Sequence, residues 1–164
     1  VYVSDVLDGR LERAEQLGAS GTVNPGKEDI TAWTRKMTDG NGFDICIEAC
    51  GHPETFLTCI EQAAFAGKII LIGNGKRETT FVHSILLKKE LNVYGSRNSY
   101  TRDFEALIDL LAEGNLDVTQ LISAEYSFEQ TKEAMEALVK NDGSLEKVLI
   151  RFDNAGEGQK KDEI

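Results

Sequence analysis

The hydrophobic positions of this chain alternate between β-prone runs and stripes at helical spacing. Residues 1–5 form a β-prone run, and Leu11 and Leu17 then belong to an apolar stripe with a helical period. Asp8 is predicted to cap this helix, and Gly18 stands where a left-handed residue ends a helix. The first elements are therefore a strand and a helix.

The same alternation continues as far as residue 152. Further strands are predicted at residues 22–24, 43–48, 68–73, 91–95 and 145–152, and further helices at residues 29–38, 53–67, 84–88, 101–113 and 127–139. The run 68–73 is almost entirely apolar, which is typical of a strand buried on both faces of a parallel sheet. Repeated alternation with short connections predicts an α/β fold, a Rossmann-like doubly wound parallel sheet. Such sheets bind ligands at the carboxyl ends of their strands.

Composition and charge narrow the possible functions. The chain has 164 residues, of which 41% are hydrophobic, and this suits a single core. A net charge of −10 argues against a nucleic-acid or anionic membrane partner, so a small diffusible partner is expected. No apolar run approaches the roughly 20 residues of a membrane-spanning helix. Residues 153–164 are polar and are predicted to be a disordered tail after a domain at residues 1–152.

Cysteine usage indicates a reducing compartment. The three cysteines are an odd number in apolar or helical stretches, which favours reduced thiols in the core or on a helix face: Cys46, Cys50 and Cys59. Their spacing is not that of a structural zinc site. His52 and His83 each lie near a predicted helix start, where capping or surface roles are expected. No export signal is present, so a cytoplasmic location is predicted.

Asp5 is the first candidate for chemistry. A dinucleotide-binding sheet carries an acidic residue at the end of its second strand, ~20 residues after a glycine fingerprint, and this residue binds the adenosine ribose. Asp5 ends the first predicted strand, although an aspartate there could simply begin a turn. The sequence contains no G-x-G-x-x-G, so the fingerprint is expected upstream of residue 1. We therefore expect a truncated sheet, without its first strand and glycine loop and with an unpaired strand edge.

A series of segments resembles the zinc-type medium-chain alcohol and polyol dehydrogenases. The matching segments follow the order of that family: residues 3–5, 10–14, 17–19, 42–51, 66–73, 95–98, 112–114, 127–134 and 147–150. Each is weakly specific alone, but together they extend over residues 1–152. The Gly-Ser-Arg-Asn sequence at 95–98 resembles the polyol and sugar-acid branch of the family.

The resemblance implies roles at the adenosine and phosphate end of NAD. Asp5 would bind the adenosine ribose, and Arg10 would lie along the adenine. Arg10 could instead be a solvated helix residue paired with Glu12 or Glu15. Lys147 matches a basic residue that reaches the pyrophosphate, while a lysine at a strand edge is equally often only a solubilising group.

The resemblance also implies contacts at the nicotinamide end. Ile72, Gly73 and Asn74 match the strand end and turn beside the nicotinamide ribose. Ser96 and Asn98 match positions whose backbone meets the carboxamide. Because backbone geometry makes these contacts, the identity of the side chains says little about them.

The reaction implied by the resemblance is hydride transfer between NAD and a polyol, a sugar acid or another secondary alcohol. The catalytic zinc of the family is held largely by a separate substrate domain, so zinc is not expected in this chain. The chain alone is therefore expected to be inactive, and the parent to be a homo-oligomer with a small-molecule alcohol substrate.

Other functions were weighed against this one. A short-chain dehydrogenase is disfavoured because no tyrosine is followed four residues later by lysine. A methyltransferase also has an acidic residue after its second strand, and only the resemblance argues against it. The alternative from another class is a non-catalytic nucleotide-sensing Rossmann module, whose ligand-driven movement controls a partner.

Overall fold

The computed structural model describes residues 1–114 and 117–152 of the chain. The predicted tail at 153–164 lies outside these residues. Contacts divide the chain at Tyr100 into two compact units, Val1–Tyr100 and Thr101–Ile164, and each is described by itself. In the described part of the chain, no helix is both long and apolar enough to cross a membrane.

The first unit contains five strands and four helices in strict alternation. Their bounds are β1 Tyr2–Ser4, α1 Asp8–Gln16, β2 Gly21–Val23, α2 Ile30–Met37, β3 Phe43–Glu48, α3 Pro53–Gln62, β4 Ala63–Leu71, α4 Ser84–Lys88 and β5 Asn92–Gly95. Strands β1 and β2 form a parallel pair, and β3, β4 and β5 form a parallel sheet in that order. This architecture confirms the predicted α/β fold with parallel sheets.

The second unit begins with a long helix and ends in a parallel strand pair. Its elements are α5 Thr101–Ala112, a 3-10 turn Thr119–Leu121, β6 Ile122–Ser127, a second 3-10 turn Phe128–Gln130, α6 Thr131–Val139 and β7 Lys147–Arg151. Strand β6 was not predicted, because its Ser, Ala and Glu residues lack the β-branched signal of a strand. The signal available in the sequence was the alternation of apolar Ile122, Ala124 and Tyr126 with polar residues.

The start of α1 differs from the prediction. Leu7 is the N-cap residue of α1 and makes no side-chain capping bond, so Asp8 does not cap the helix. Asp8 stands in the first turn and accepts a 2.8 Å hydrogen bond from Asn24 Nδ2, and it also pairs with Lys27. Hydrogen bonds from Lys27 and Asn24 lower the pKa of Asp8. Asp8 therefore ties α1 to the turn after β2.

The end of α3 also differs from the prediction. Residues 64–67 were expected to close this helix, but α3 ends at Gln62 and β4 begins at once. Lys89 Nζ donates 2.9 and 3.0 Å bonds to the carbonyls of Ile60 and Glu61, which satisfies groups left open by the end of the helix. The register with β3 shifts across this stretch, where Ala66 adopts a φ of 57°.

The core of the first unit lies on one face of the β3–β4–β5 sheet. Cys46, Ile60, Ala63 and Ile69 are buried together there, and Ile69 is fully buried. The opposite face of β3 is open, since Ile45 is 57% exposed. One face of this sheet therefore holds the packing that stabilises it.

The two sheets of the first unit meet at the amino ends of their strands. The rings of Tyr2 and Phe43, at the starts of β1 and β3, have centroids 5.4 Å apart, and Trp33 contacts both. Within the described residues β1 pairs only with β2, and β3 pairs only with β4. Each of these two strands therefore has an unpaired edge among the described residues.

Two isoleucines in adjacent strands test this description of the core. Replacing the fully buried Ile69 by alanine should lower the free energy of unfolding by about 2–5 kcal/mol, because a cavity forms. The matched change Ile45→Ala should cost less than about 1 kcal/mol, because that side chain is largely exposed. Urea denaturation of both variants measures the difference, and equal losses would contradict the assignment of the core face.

Candidate functional site

Asp5 is fixed directly after β1. One carboxylate oxygen, Oδ1, accepts the N–H of Leu7 at 2.9 Å, and the other, Oδ2, lies 3.4 Å from Arg10 Nη1. The side chain is 26% exposed. Arg10 therefore pairs with Asp5 and not with Glu12 or Glu15. The structure brings these two predicted residues together at the start of α1.

A second carboxylate, unused in the sequence analysis, ends β3. Glu48 is only 4% exposed. Its Oε1 accepts the N–H of Cys50 at 2.8 Å, the N–H of Gly51 at 2.7 Å and the hydroxyl of Thr55 at 2.7 Å. These bonds fold the loop after β3 back onto the side chain of Glu48.

The backbone of Glu48 is bonded to the turn after β4. Its carbonyl accepts the N–H of Ile72 at 2.8 Å and that of Gly73 at 3.0 Å. A Cβ atom at Gly51, where φ is 76°, would lie 2.7 Å from the nitrogen of Gly75, and one at Gly73 would collide with the backbone of Gly51 and with Glu48 Oε2. Only glycines allow the two turns to touch. We call Glu48, Gly51, Gly73 and Gly75 the glycine clasp.

The carboxyl of Glu48 is held in its charged form. Burial raises the pKa of this group, but hydrogen bonds from the hydroxyl of Thr55 and from the N–H groups of Gly51, Cys50 and His52 outweigh burial. The pKa therefore lies below the usual glutamate value. Sequence reasoning could have found Glu48, because it shares the buried face of β3 with Cys46 two residues earlier.

The residues predicted for the nicotinamide end lie at the carboxyl ends of β4 and β5. Ile72 follows β4 and is 55% exposed, and Gly73 and Asn74 form the turn that touches Gly51. Ser96 follows β5, and its N–H donates to the carbonyl of Leu71 at 2.8 Å. Asn98 is exposed with a φ of 63°. All five therefore lie at or just beyond the ends of two neighbouring strands.

Lys147 begins β7 in the second unit and is exposed there. Its predicted contact with the pyrophosphate stays a prediction.

His52 lies at the rim of the glycine clasp. It is the N-cap residue of α3, and its ring accepts a 2.8 Å bond at Nε2 from Arg77 Nη1 while Nδ1 donates to Glu54. The ring makes no capping bond, so its role here is that of a surface residue. His83 precedes α4 and is exposed.

A cavity of about 570 Å³ lies at the other ends of the strands. Its lining includes Tyr2, Thr38, Phe43 and Phe65. Ligands of parallel sheets bind at the carboxyl ends, so this open cavity at the amino ends is not the candidate site.

Comparison with known proteins shows the family to which the chain belongs. The family model described as "Zinc-binding dehydrogenase" matches residues 1–113. This chain belongs to the zinc-binding dehydrogenase family. The resemblance found in the sequence is thereby confirmed.

Relatives of this chain include enzymes named for sugar acids and polyols. It is 30% identical over 135 residues to L-idonate 5-dehydrogenase (NAD(P)(+)) from Escherichia coli K12, covering 82% of this chain and 38% of that protein. It is 26% identical over 151 residues to sorbitol dehydrogenase from Bacillus subtilis, covering 92% of this chain and 42% of that protein. The chain spans about two fifths of the length of these relatives.

A solved structure shows the same fold. The structure of short chain alcohol dehydrogenase (rspB) from Escherichia coli CFT073, complexed with cofactor NADH, matches with a TM-score of 0.82. The match has 26% identity and covers 93% of this chain and 44% of that one.

The family name implies zinc, but the described residues do not fit it. Among residues 1–114 and 117–152, no group of three or more His, Cys, Asp and Glu side chains could hold a metal ion. All three cysteines are free: Cys46 is buried and Cys59 is half-buried, whereas Cys50 lies in an exposed bend. The expectation of a core or helix-face position is wrong for Cys50. No zinc site is therefore assigned to the described residues.

The close contact within the glycine clasp predicts an asymmetry between two glycines. Gly73→Ala should lower the free energy of unfolding by about 1–3 kcal/mol, since the new Cβ meets backbone that cannot move aside cheaply. Gly9→Ala in α1 meets nothing within 4 Å and should raise it by about 0.5–1 kcal/mol. Chemical denaturation measures both values. A neutral Gly73→Ala would show that the two turns do not touch.

The lowered pKa of Glu48 predicts a pH dependence. Its contribution to stability is fully present above the ordinary glutamate pKa, about 4.3, and is lost as pH falls through the lower pKa of the folded state. Glu48→Gln should therefore be less stable than the wild type at pH 7 by about 1–2 kcal/mol, with the gap narrowing in acid. Glu61→Gln, on the exposed end of α3, is the control. If the difference in unfolding free energy between the wild type and Glu48→Gln grew in acid, the lowered pKa of Glu48 would be contradicted.

Proposed function

We propose that residues 1–152 form the cofactor-binding part of an NAD-dependent dehydrogenase that oxidises a polyol, a sugar acid or another secondary alcohol. The observation that carries the proposal is the fixed carboxylate of Asp5 after β1, in the same unit as the glycine clasp after β3 and β4. The names of the idonate and sorbitol dehydrogenases and the NADH complex of the solved neighbour support it.

The residues of the first unit fit a nicotinamide dinucleotide. Asp5 keeps a partly exposed carboxylate, and ribose hydroxyls are donors that form charge-assisted hydrogen bonds with such an acceptor. The missing side chains of Gly73 and Gly75 leave room for the backbone of Gly51, and this contact fixes the turn that is proposed to face the ligand. The further contacts proposed in this unit are those of Arg10, Ile72, Asn74, Ser96 and Asn98.

When bound, NAD supplies the acceptor for a hydride from the carbinol carbon of the alcohol. The residues of this chain bind the cofactor and orient it. Asp5 holds the adenosine ribose, the turn at Gly73 and Asn74 lies beside the nicotinamide ribose, and the exposed Ile72 presents apolar surface next to that turn. Backbone groups near Ser96 and Asn98 meet the carboxamide.

The charge of Asp5 makes the proposed site selective for NAD. NADP carries a phosphate at the 2′ position, and two unit negative charges about 5 Å apart repel by roughly 3 kcal/mol at an effective dielectric near 20. Arg10, 3.4 Å from Asp5, offsets part of this repulsion, and salt screens it further. A net preference for NAD remains.

The proposal places the zinc ligands outside the described residues. The chain alone is then expected to oxidise no alcohol. A homo-oligomeric parent and a cytoplasmic location belong to the same proposal.

Steady-state kinetics of the full-length protein with a polyol test this function. NAD should be preferred over NADP by at least about tenfold in kcat/KM. Asp5→Ser should weaken the binding of NAD by the value of one charge-assisted hydrogen bond. It should narrow the preference for NAD over NADP without reversing it. Glu12→Gln removes the same charge from an exposed position on α1 and should leave the preference unchanged.

Two results would contradict this account. A preference for NADP with Asp5 intact would remove the ribose role of Asp5. Nucleotide binding without oxidation of any polyol or other secondary alcohol would favour the nucleotide-sensing module.

A further inference from the structure

The buried side chain of Glu48 has no place in the proposed contacts with NAD. At 4% exposure, the side chain is too enclosed to touch a dinucleotide directly. Burying a charge is costly unless it is well bonded, and this one receives two backbone N–H bonds and one hydroxyl bond at a single oxygen. The arrangement therefore calls for a reason beyond packing.

Glu48 lies between two turns and contacts both of them. Oε1 holds the turn after β3 through Cys50 and Gly51. Oε2 lies so close to Gly73 that a Cβ atom there would collide with it, and the carbonyl of Glu48 accepts the N–H of Gly73. The carboxyl thus fixes the turn after β4 relative to the turn after β3.

We propose that Glu48 is a positioning residue, which holds the turn at Gly73 and Asn74 in the place where it meets the nicotinamide end of the cofactor. This inference rests on the proposed function. It assigns no contact between Glu48 and the cofactor, and the adenosine end at Asp5 is fixed by separate bonds to Leu7 and Arg10.

Thr55, in the first turn of α3, also holds the carboxylate of Glu48. Its hydroxyl lies 2.7 Å from Glu48 Oε1 and 2.8 Å from the carbonyl of His52, so one side chain in the first turn of the helix reaches the carboxylate. Removing this hydroxyl weakens the hold on Glu48 without changing any charge. Thr55 therefore provides a second, milder way to test the same role.

The two ends of the cofactor can be probed separately in the full-length protein. NADH engages both ends, whereas ADP lacks both the nicotinamide and its ribose. Replacing a residue that only stabilises the fold would change the affinities for the two ligands equally. Replacing a residue that positions the turn after β4 would weaken the binding of NADH selectively. Dissociation constants measured by calorimetry for both ligands report the difference.

The expected results follow from this selectivity. Glu48→Gln should weaken the binding of NADH about tenfold and that of ADP less than about twofold. Thr55→Val should show the same pattern at about threefold for NADH, and Thr55→Ser, which keeps the hydroxyl, should restore wild-type affinity. Glu61→Gln, the same change at the far end of α3, should alter neither affinity.

Other outcomes would overturn either the positioning role of Glu48 or the proposed function. Equal weakening of NADH and ADP binding, or no weakening of either, in Glu48→Gln and Thr55→Val would overturn the positioning role while leaving the proposed function intact. If Glu48→Gln does not fold, Thr55→Val and Thr55→Ser decide the question. A wild-type protein that binds neither ligand would overturn the proposed function, and this inference with it.

Discussion

The contact between the turns that follow β3 and β4 is the constraint on which the candidate site depends. Backbone meets backbone there, because Gly51, Gly73 and Gly75 carry no side chains, and the buried carboxylate of Glu48 bonds to the resulting junction. A charge in a nearly dry position is stable only when its donors are already in place. These contacts therefore hold the turn beside the proposed nicotinamide site in one position, while its outer surface stays exposed.

The rest of the first unit supports this junction. Ile69 and the residues packed around it hold α3 against the sheet, and α3 in turn presents Thr55 to Glu48. At the far end of the helix, Lys89 satisfies carbonyls of the last turn, and burial lowers the pKa of this lysine. The adenosine end is built independently by Asp5, whose carboxylate is oriented by the turn into α1.

Local patterns predicted much of this structure. The bounds of β3 and α4 agree with the predicted residues 43–48 and 84–88, since apolar runs and short connections define them without help from tertiary contacts. Longer-range contacts decided the differences: Asp8 pairs with Asn24 and Lys27 and does not cap α1. Asp5 follows β1, as the β-prone run at the start of the chain predicts, and its contact with the ribose stays a prediction. Glu48 was missed because its role depends on a turn more than twenty residues away in the sequence.

A crystal structure of the full-length protein with NAD bound is the most direct test of the central claim. The account predicts the adenosine ribose against the carboxylate of Asp5 and the nicotinamide ribose beside the turn at Gly73 and Asn74. NAD bound in the cavity lined by Tyr2 and Phe43, at the amino ends of the strands, would contradict it. So would a bound cofactor whose nicotinamide end lies away from the glycine clasp.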